Sequence, residues 1–159
     1  MAMPISEKDL FNARTAWGNG LLEISKTFQT EGIEMAASVA SDMIDNLYGF
    51  NSGKVLFKPT LSGGSQTFRP TKEGALSYFV GHNSVYPNDS GFGIKPWREV
   101  KSDTSAIFID SDIAMWMGWV TFCDINGKTT KVDKSWGYKL DDDGIIRIIL
   151  HHSSLPYSP

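Results

Sequence analysis

The side chains best suited to acid–base chemistry near neutral pH gather close to the C-terminus, in the run His151-His152-Ser153-Ser154-Leu155-Pro156. An imidazole exchanges a proton near pH 6.5 and also ligates metals, so such a pair first suggests a zinc site. A zinc ion that activates water needs about three protein ligands converging on it, with a fourth position open. The only other histidine in the chain is His82. If His151 and His152 continue one β-strand, their rings leave it on opposite faces and cannot easily reach the same ion. The expectation is a site without a metal. Cys123, the one cysteine, excludes an intramolecular disulfide and any cysteine cluster within one chain.

Other motifs read as structure rather than chemistry. Asp141-Asp142-Asp143-Gly144 lacks the spaced oxygen ligands and closing Glu of an EF-hand loop and reads as a solvated hairpin turn. Gly63-Gly64 falls between serines without the Lys-Ser/Thr ending of a phosphate loop. No Gly-x-Ser-x-Gly nucleophile elbow occurs. Met115-Trp116-Met117-Gly118-Trp119, with Trp136 and Tyr138 further on, reads as aromatic packing in the core or at a dimer interface, a pocket wall being the alternative. The formal net charge of -3 lacks the basic excess of a nucleic-acid binder. No run approaches about 18 apolar residues, so no membrane partner is expected. The first residues turn polar almost at once with no signal pattern, and the expected location is the cytoplasm.

These residues must be positioned by the rest of a chain whose 159 residues suit one domain spanning 1–159. Ser6 opens a Ser-x-x-Asp cap, and Leu10, Ala13, Trp17, Leu21, Ile24 and Phe28 follow at helical spacing, which predicts a helix over about Glu7 to Phe28. Beyond Gly32, a second apolar pattern from Ile33 to Leu47 predicts another helix ending near Gly49. Val55 to Phe57 reads as a short strand, and Lys72 to Val80 as a short helix stopped by Gly81. The segment from His82 to Lys95 is a long loop of the kind that forms lids or rims. Strands are then predicted over Ser105 to Asp110, Ile113 to Asp124, Thr129 to Leu140 and Gly144 to His152, with Asn126-Gly127 and Asp143-Gly144 as turns. Helices first and hairpin-linked strands afterwards indicate an α+β fold. A curved antiparallel sheet around the helices would enclose a cone whose open end offers a small-molecule pocket.

Three further segments, Val55-Leu56-Phe57-Lys58-Pro59-Thr60, Phe68-Arg69-Pro70-Thr71 and Gly74-Ala75-Leu76-Ser77-Tyr78-Phe79, together with the closing His151-His152-Ser153-Ser154-Leu155-Pro156, carry a family resemblance over nearly the whole chain. The sequence resembles the iota-class carbonic anhydrases, in particular their metal-independent cyanobacterial and algal branch. The resemblance implies an NTF2-like cone, similar to the association domain of calmodulin-dependent kinase II, usually assembled as a homodimer. It implies an enzyme that interconverts carbon dioxide and bicarbonate without a cofactor. It further implies that Thr60, Tyr78 and Ser153 bind bicarbonate. The family pattern has three consecutive histidines, and here Leu150 stands at the first of them. Some relatives are described as metal-dependent, so that departure bears on the cofactor.

Without a metal, other groups must position the attacking water, and a ring of hydroxyls can do so with pre-aimed hydrogen bonds. If Ser153 faces the pocket, alternation places His151 beside it as a proton acceptor or shuttle. Alternation also groups Ile145, Arg147 and Ile149 with His151, whereas Ile146, Ile148 and Leu150 make the more apolar face. A β-bulge before the histidines, or a sheet packed on both sides by dimerisation, would reconcile the two. Singly, each residue has a plain structural reading: Thr60 as a turn residue after Pro59, Tyr78 as a core aromatic with its hydroxyl at the surface, the histidines as a structural or solvent-facing pair. The alternative function is an NTF2-like domain that binds another small ligand, or assembles, without catalysis.

Overall fold

A computed structural model describes residues 3–159. Helix α1 (Glu7–Glu31) begins at Ser6, whose Oγ accepts from the Asp9 backbone N–H while Asp9 Oδ2 accepts from the Ser6 N–H at 2.8 Å. This reciprocal cap satisfies two of the donors that a helix N-terminus leaves open. The helix runs three residues beyond the expected Phe28 and stops at Gly32, whose φ of 91° turns the chain directly into α2 (Ile33–Leu47). Its buried stripe contains Leu10, Trp17, Leu21 and Ile24, so the periodic residues do face the core. Helix α3 (Lys72–Val80) has the expected bounds, with Thr71 capping it and Gly81 ending it.

The sheet contains β1 (Leu56–Lys58), β2 (Trp97–Asp110), β3 (Ile113–Asp124), β4 (Thr129–Leu140) and β5 (Ile146–Ser154), in the order β1-β5-β4-β3-β2. Four strands form an antiparallel meander, and β1 adds to the far edge parallel to β5. Strand β2 starts at Trp97, well before the expected Ser105. Its first half, Arg98 to Thr104, is largely exposed at the sheet edge, so no burial selects the apolar alternation by which a strand is read. The β3–β4 and β4–β5 turns share one construction. In each, an aspartate Oδ1 (Asp124 or Asp141) accepts two backbone N–H groups, and a glycine with positive φ (Gly127 at 82°, Gly144 at 77°) closes the bend. The Asp141 carboxylate is thus occupied by its own turn.

A register shift in β5 decides which residues reach the interior. Ile148 lies opposite Tyr138 and Leu150 opposite Gly137, so Ile149 is an extra residue between them. Such a bulge exchanges the two faces of everything beyond it. Before it, Ile148 is buried against the helices; after it, His151 and Ser153 are buried on that same side while His152 is exposed. The conflict between the apolar and the chemical faces of β5 is resolved by this one residue.

Candidate active site

Three elements bring the predicted side chains together. The parallel pairing of β1 with β5 sets Phe57 beside His151, and the chain leaving β1 through Pro59 carries Thr60 to the end of β5. There the Thr60 and Ser153 hydroxyls lie 2.5 Å apart. Helix α3 presents Tyr78, whose hydroxyl accepts from the Leu61 N–H at 3.3 Å and borders the Thr60 hydroxyl. All three residues are buried. Burial, only partly offset by these hydrogen bonds, pushes the Tyr78 phenol up to about 12. Tyr78 therefore keeps its proton at neutral pH and can donate it to an oxygen.

Thr60, Tyr78, Lys134 and His151 line a small cavity whose remaining wall is Trp17, Phe57, Pro59, Phe79 and Phe92. Its volume, about 10 Å³, is the room one water needs. A cavity of about 670 Å³ lies elsewhere, between the start of α1, the end of α2 and β4–β5, with Leu140, Ile146 and Ile148 among its mainly apolar lining. Size alone would favour the larger one. The convergence of titratable groups favours the smaller.

His151 sits deeper than sequence reasoning places it. Its Nδ1 is 2.8 Å from the Tyr48 hydroxyl, which itself accepts from Trp17 Nε1 at 2.9 Å, and its Nε2 is 2.9 Å from Lys134 Nζ. Its ring stacks on Phe57 at 4.7 Å. Burial, then the charges of Lys134 and His152, hold its pKa well below the ordinary imidazole value. Both ring nitrogens of His151 are thus engaged, by Tyr48 and by Lys134, and its burial disfavours the charged imidazolium.

Lys134, which sequence reasoning did not single out, is buried and points into the same cavity. Among the described residues no carboxylate forms an ion pair with it. Its Nζ lies 4.9 Å from the Trp17 ring centroid, 5.5 Å from that of Trp136 and 5.8 Å from that of Phe122. Desolvating an ammonium costs several kcal/mol, and each cation–π contact offsets about 0.5–2 kcal/mol of that. Burial, with the like charge of Lys58 adding to it and Asp133 opposing it, lowers the Lys134 pKa to about 7. The readable signal was alternation: Val132, Lys134 and Trp136 share the apolar face of β4, where a lysine is out of place.

The three imidazoles do not converge. His82 is exposed on its loop and His152 is exposed on the outer face of β5. Among the described residues no group of three or more His, Cys, Asp or Glu side chains could hold a metal ion. Leu150 also lies on the outer face of β5, opposite Gly137, so a histidine there would point away from the cavity.

The family model for metal-independent carbonic anhydrases matches residues 8–155. This chain belongs to that family. A metal-independent carbonic anhydrase from Nostoc sp. (strain PCC 7120) is 47% identical over 153 residues, covering 96% of this chain and 75% of the relative. The crystal structure of a cyanobacterial iota-carbonic anhydrase complexed with bicarbonate is similar to this one with a TM-score of 0.98 and 45% identity, covering 100% of this chain and 97% of that one. A calcium/calmodulin-dependent kinase II association domain from Xanthomonas campestris, at 20% identity and a TM-score of 0.65, covers 100% of this chain and 95% of its own and shares the fold alone. The expected α+β fold, similar to that association domain, and the carbonic anhydrase family are therefore both established. Among the described residues of this iota-class carbonic anhydrase, no helix is long and apolar enough to cross a membrane.

Proposed function

We propose that this carbonic anhydrase interconverts carbon dioxide and bicarbonate by a metal-free route in which Thr60, Tyr78 and Ser153 position water and bicarbonate. The observation that carries the reading is the meeting of three buried hydroxyls, with Thr60 and Tyr78 at a cavity walled by aromatic rings and Ser153 bonded to Thr60 behind it. Carbon dioxide has no net dipole and is at home against such a wall, whereas the developing carboxylate needs donors aimed at its oxygens. Thr60 and Ser153 now bond to each other and can exchange that bond for bonds to substrate oxygens. Tyr78, held protonated by burial, supplies a third donor. The complex of the similar cyanobacterial enzyme with bicarbonate supports this choice of ligand.

The test is carbon dioxide hydration by protein stripped with chelator and verified free of metal. Stripped protein should be as active as untreated protein. Folded but inactive protein that recovers on adding zinc or manganese would overturn the metal-free route. Inactivity under every metal condition would favour the non-catalytic binding domain.

We also infer that two copies pair through the outer sheet face. The ladder aligns Leu56, Leu150, Gly137, Met115 and Phe108 in one row across all five strands, in which Leu56, Met115 and Phe108 are exposed. A two-fold axis through the sheet would set this row against itself, and the outward Asp103, Asp133, Lys131 and Lys139 offer both signs of charge at its rim. Sedimentation at micromolar concentration should show a dimer for the wild type and a monomer for Met115→Glu. A monomeric wild type would exclude the pairing.

A further inference from the structure

Lys134 lies opposite Ser153 in the β4–β5 ladder, so its aliphatic stem and the site's deepest hydroxyl leave adjacent strands side by side. The amine ends at the cavity, 2.9 Å from His151 Nε2 and amid the rings of Trp17, Phe122 and Trp136. Three hydroxyls can hold water, but each has too high a pKa to give up its proton at neutral pH and so cannot serve as the base. Building on the carbonic anhydrase reading, we propose that Lys134 is the general base of the site, taking the proton of the attacking water during hydration and returning it during dehydration.

The step balances without another reactant. The water oxygen bonds to the carbon of carbon dioxide, one C=O electron pair moves to oxygen, and the water proton passes to the Lys134 lone pair. Neutral amine, water and carbon dioxide become ammonium and bicarbonate, and the ammonium then gives its proton to solvent when bicarbonate leaves. His151 and Tyr48 are positioning residues in this scheme. With the proton on His151 Nδ1 directed at the Tyr48 oxygen, Nε2 accepts an amine N–H in both charge states of the lysine, and the amine lone pair is left for the cavity.

The surroundings make the neutral amine accessible near neutral pH. His151 from β5 is disfavoured as a cation by burial; Tyr48 after α2 and Tyr78 from α3 keep their protons; α1 and β3 contribute the Trp17 and Phe122 rings. Lys58 from β1 repels the ammonium, and Asp133 on β4 opposes that effect without outweighing burial. The folded-state pKa of about 7 lies below the ordinary 10.5, so between these values the unfolded chain binds the extra proton. Stability contributed by this group therefore rises with pH through that window and is lowest below it.

The experiment combines the pH profile of carbon dioxide hydration with Lys134→Met, which keeps the volume and removes the amine. The wild-type rate should rise with pH through a midpoint near 7. Lys134→Met should fold, melt no lower than wild type at pH 7, lose about 100-fold or more in hydration rate and lose that midpoint. Added methylamine should restore part of the activity of Lys134→Ala in proportion to its concentration. Should neither variant fold, nitrogen-15 NMR of Lys134 Nζ in the wild type decides: titration near 7 supports the assignment, and titration near the ordinary lysine value overturns it. An active wild type alongside a Lys134→Met variant with near-normal rate and an unmoved midpoint also overturns it, leaving the carbonic anhydrase reading intact. A wild type inactive at every pH overturns that reading, and this assignment with it.

Discussion

Ser153→Ala and Thr60→Val should each lower carbon dioxide hydration by about 100-fold, the usual effect of removing one donor aimed at developing oxygen charge. Ser153 is fully buried and, among the described residues, its side chain bonds only the Thr60 hydroxyl, so the substitution removes one short hydrogen bond and very little volume. The net loss of such a bond is about 0.5–1.5 kcal/mol, which for a chain of this size lowers Tm by only a few degrees. Activity and stability should thus separate. Because the two hydroxyls act on the same substrate, the double variant should cost much less than the product of the single effects. Multiplicative losses, or full activity in both single variants, would show that the substrate sits elsewhere. Stopped-flow hydration assays with thermal melts on the same samples make the comparison.

The second large effect is on stability. Asp89→Ala should destabilise the fold by about 3–5 kcal/mol, because it leaves a buried guanidinium without its counter-charge. Arg69 pairs with Asp89 through Nη1 at 2.7 Å and Nη2 at 2.8 Å, and both side chains are 3% exposed. The same carboxylate accepts from Ser77 Oγ at 2.6 Å on α3. This knot ties the long loop after α3 to the helix that carries Tyr78. That loop also delivers Phe92, which stacks on the Tyr78 ring with centroids 5.7 Å apart. Loss of the knot should therefore weaken catalysis as well as folding. Burial alone would raise the Asp89 pKa, but the hydrogen bonds from Arg69 and Ser77 and the charge of Arg69 outweigh it and hold it below the ordinary value. The stabilisation is present above the unfolded carboxylate pKa and is lost as pH falls through the lower folded one. Wild-type Tm should fall over that acid range more steeply than that of Asp89→Asn. Equal acid sensitivity in the two would refute this account.

Much of the cone was legible because burial leaves periodic traces. The Leu10 to Phe28 stripe, the β3 and β4 strands and the Asp-Gly and Asn-Gly turns were read at or near their observed bounds for that reason. The first half of β2 left no such trace, since an exposed edge strand is under no demand to alternate. Thr60, Tyr78 and Ser153 could be named only through family resemblance; nothing in their local sequence says that β1, α3 and β5 meet. The β5 bulge was one of two ways out of a conflict visible in the residues themselves, and pairing across β4 was needed to choose it. Lys134 was visible in principle as a charge on an apolar strand face. It went unread because a single out-of-pattern lysine on a strand carrying other lysines signals little until its depth is known.

Strand β5 presents two faces of unequal tolerance to substitution. Residues 151 and 153 are hemmed in by Tyr48, Lys134 and Thr60, while residues 150 and 152 look out from the opposite face. A histidine at 150 would therefore face away from the cavity and leave the hydroxyl cluster untouched. Consecutive histidines on this strand would thus not share one ion; the face on which each ring lies is what bears on ligation.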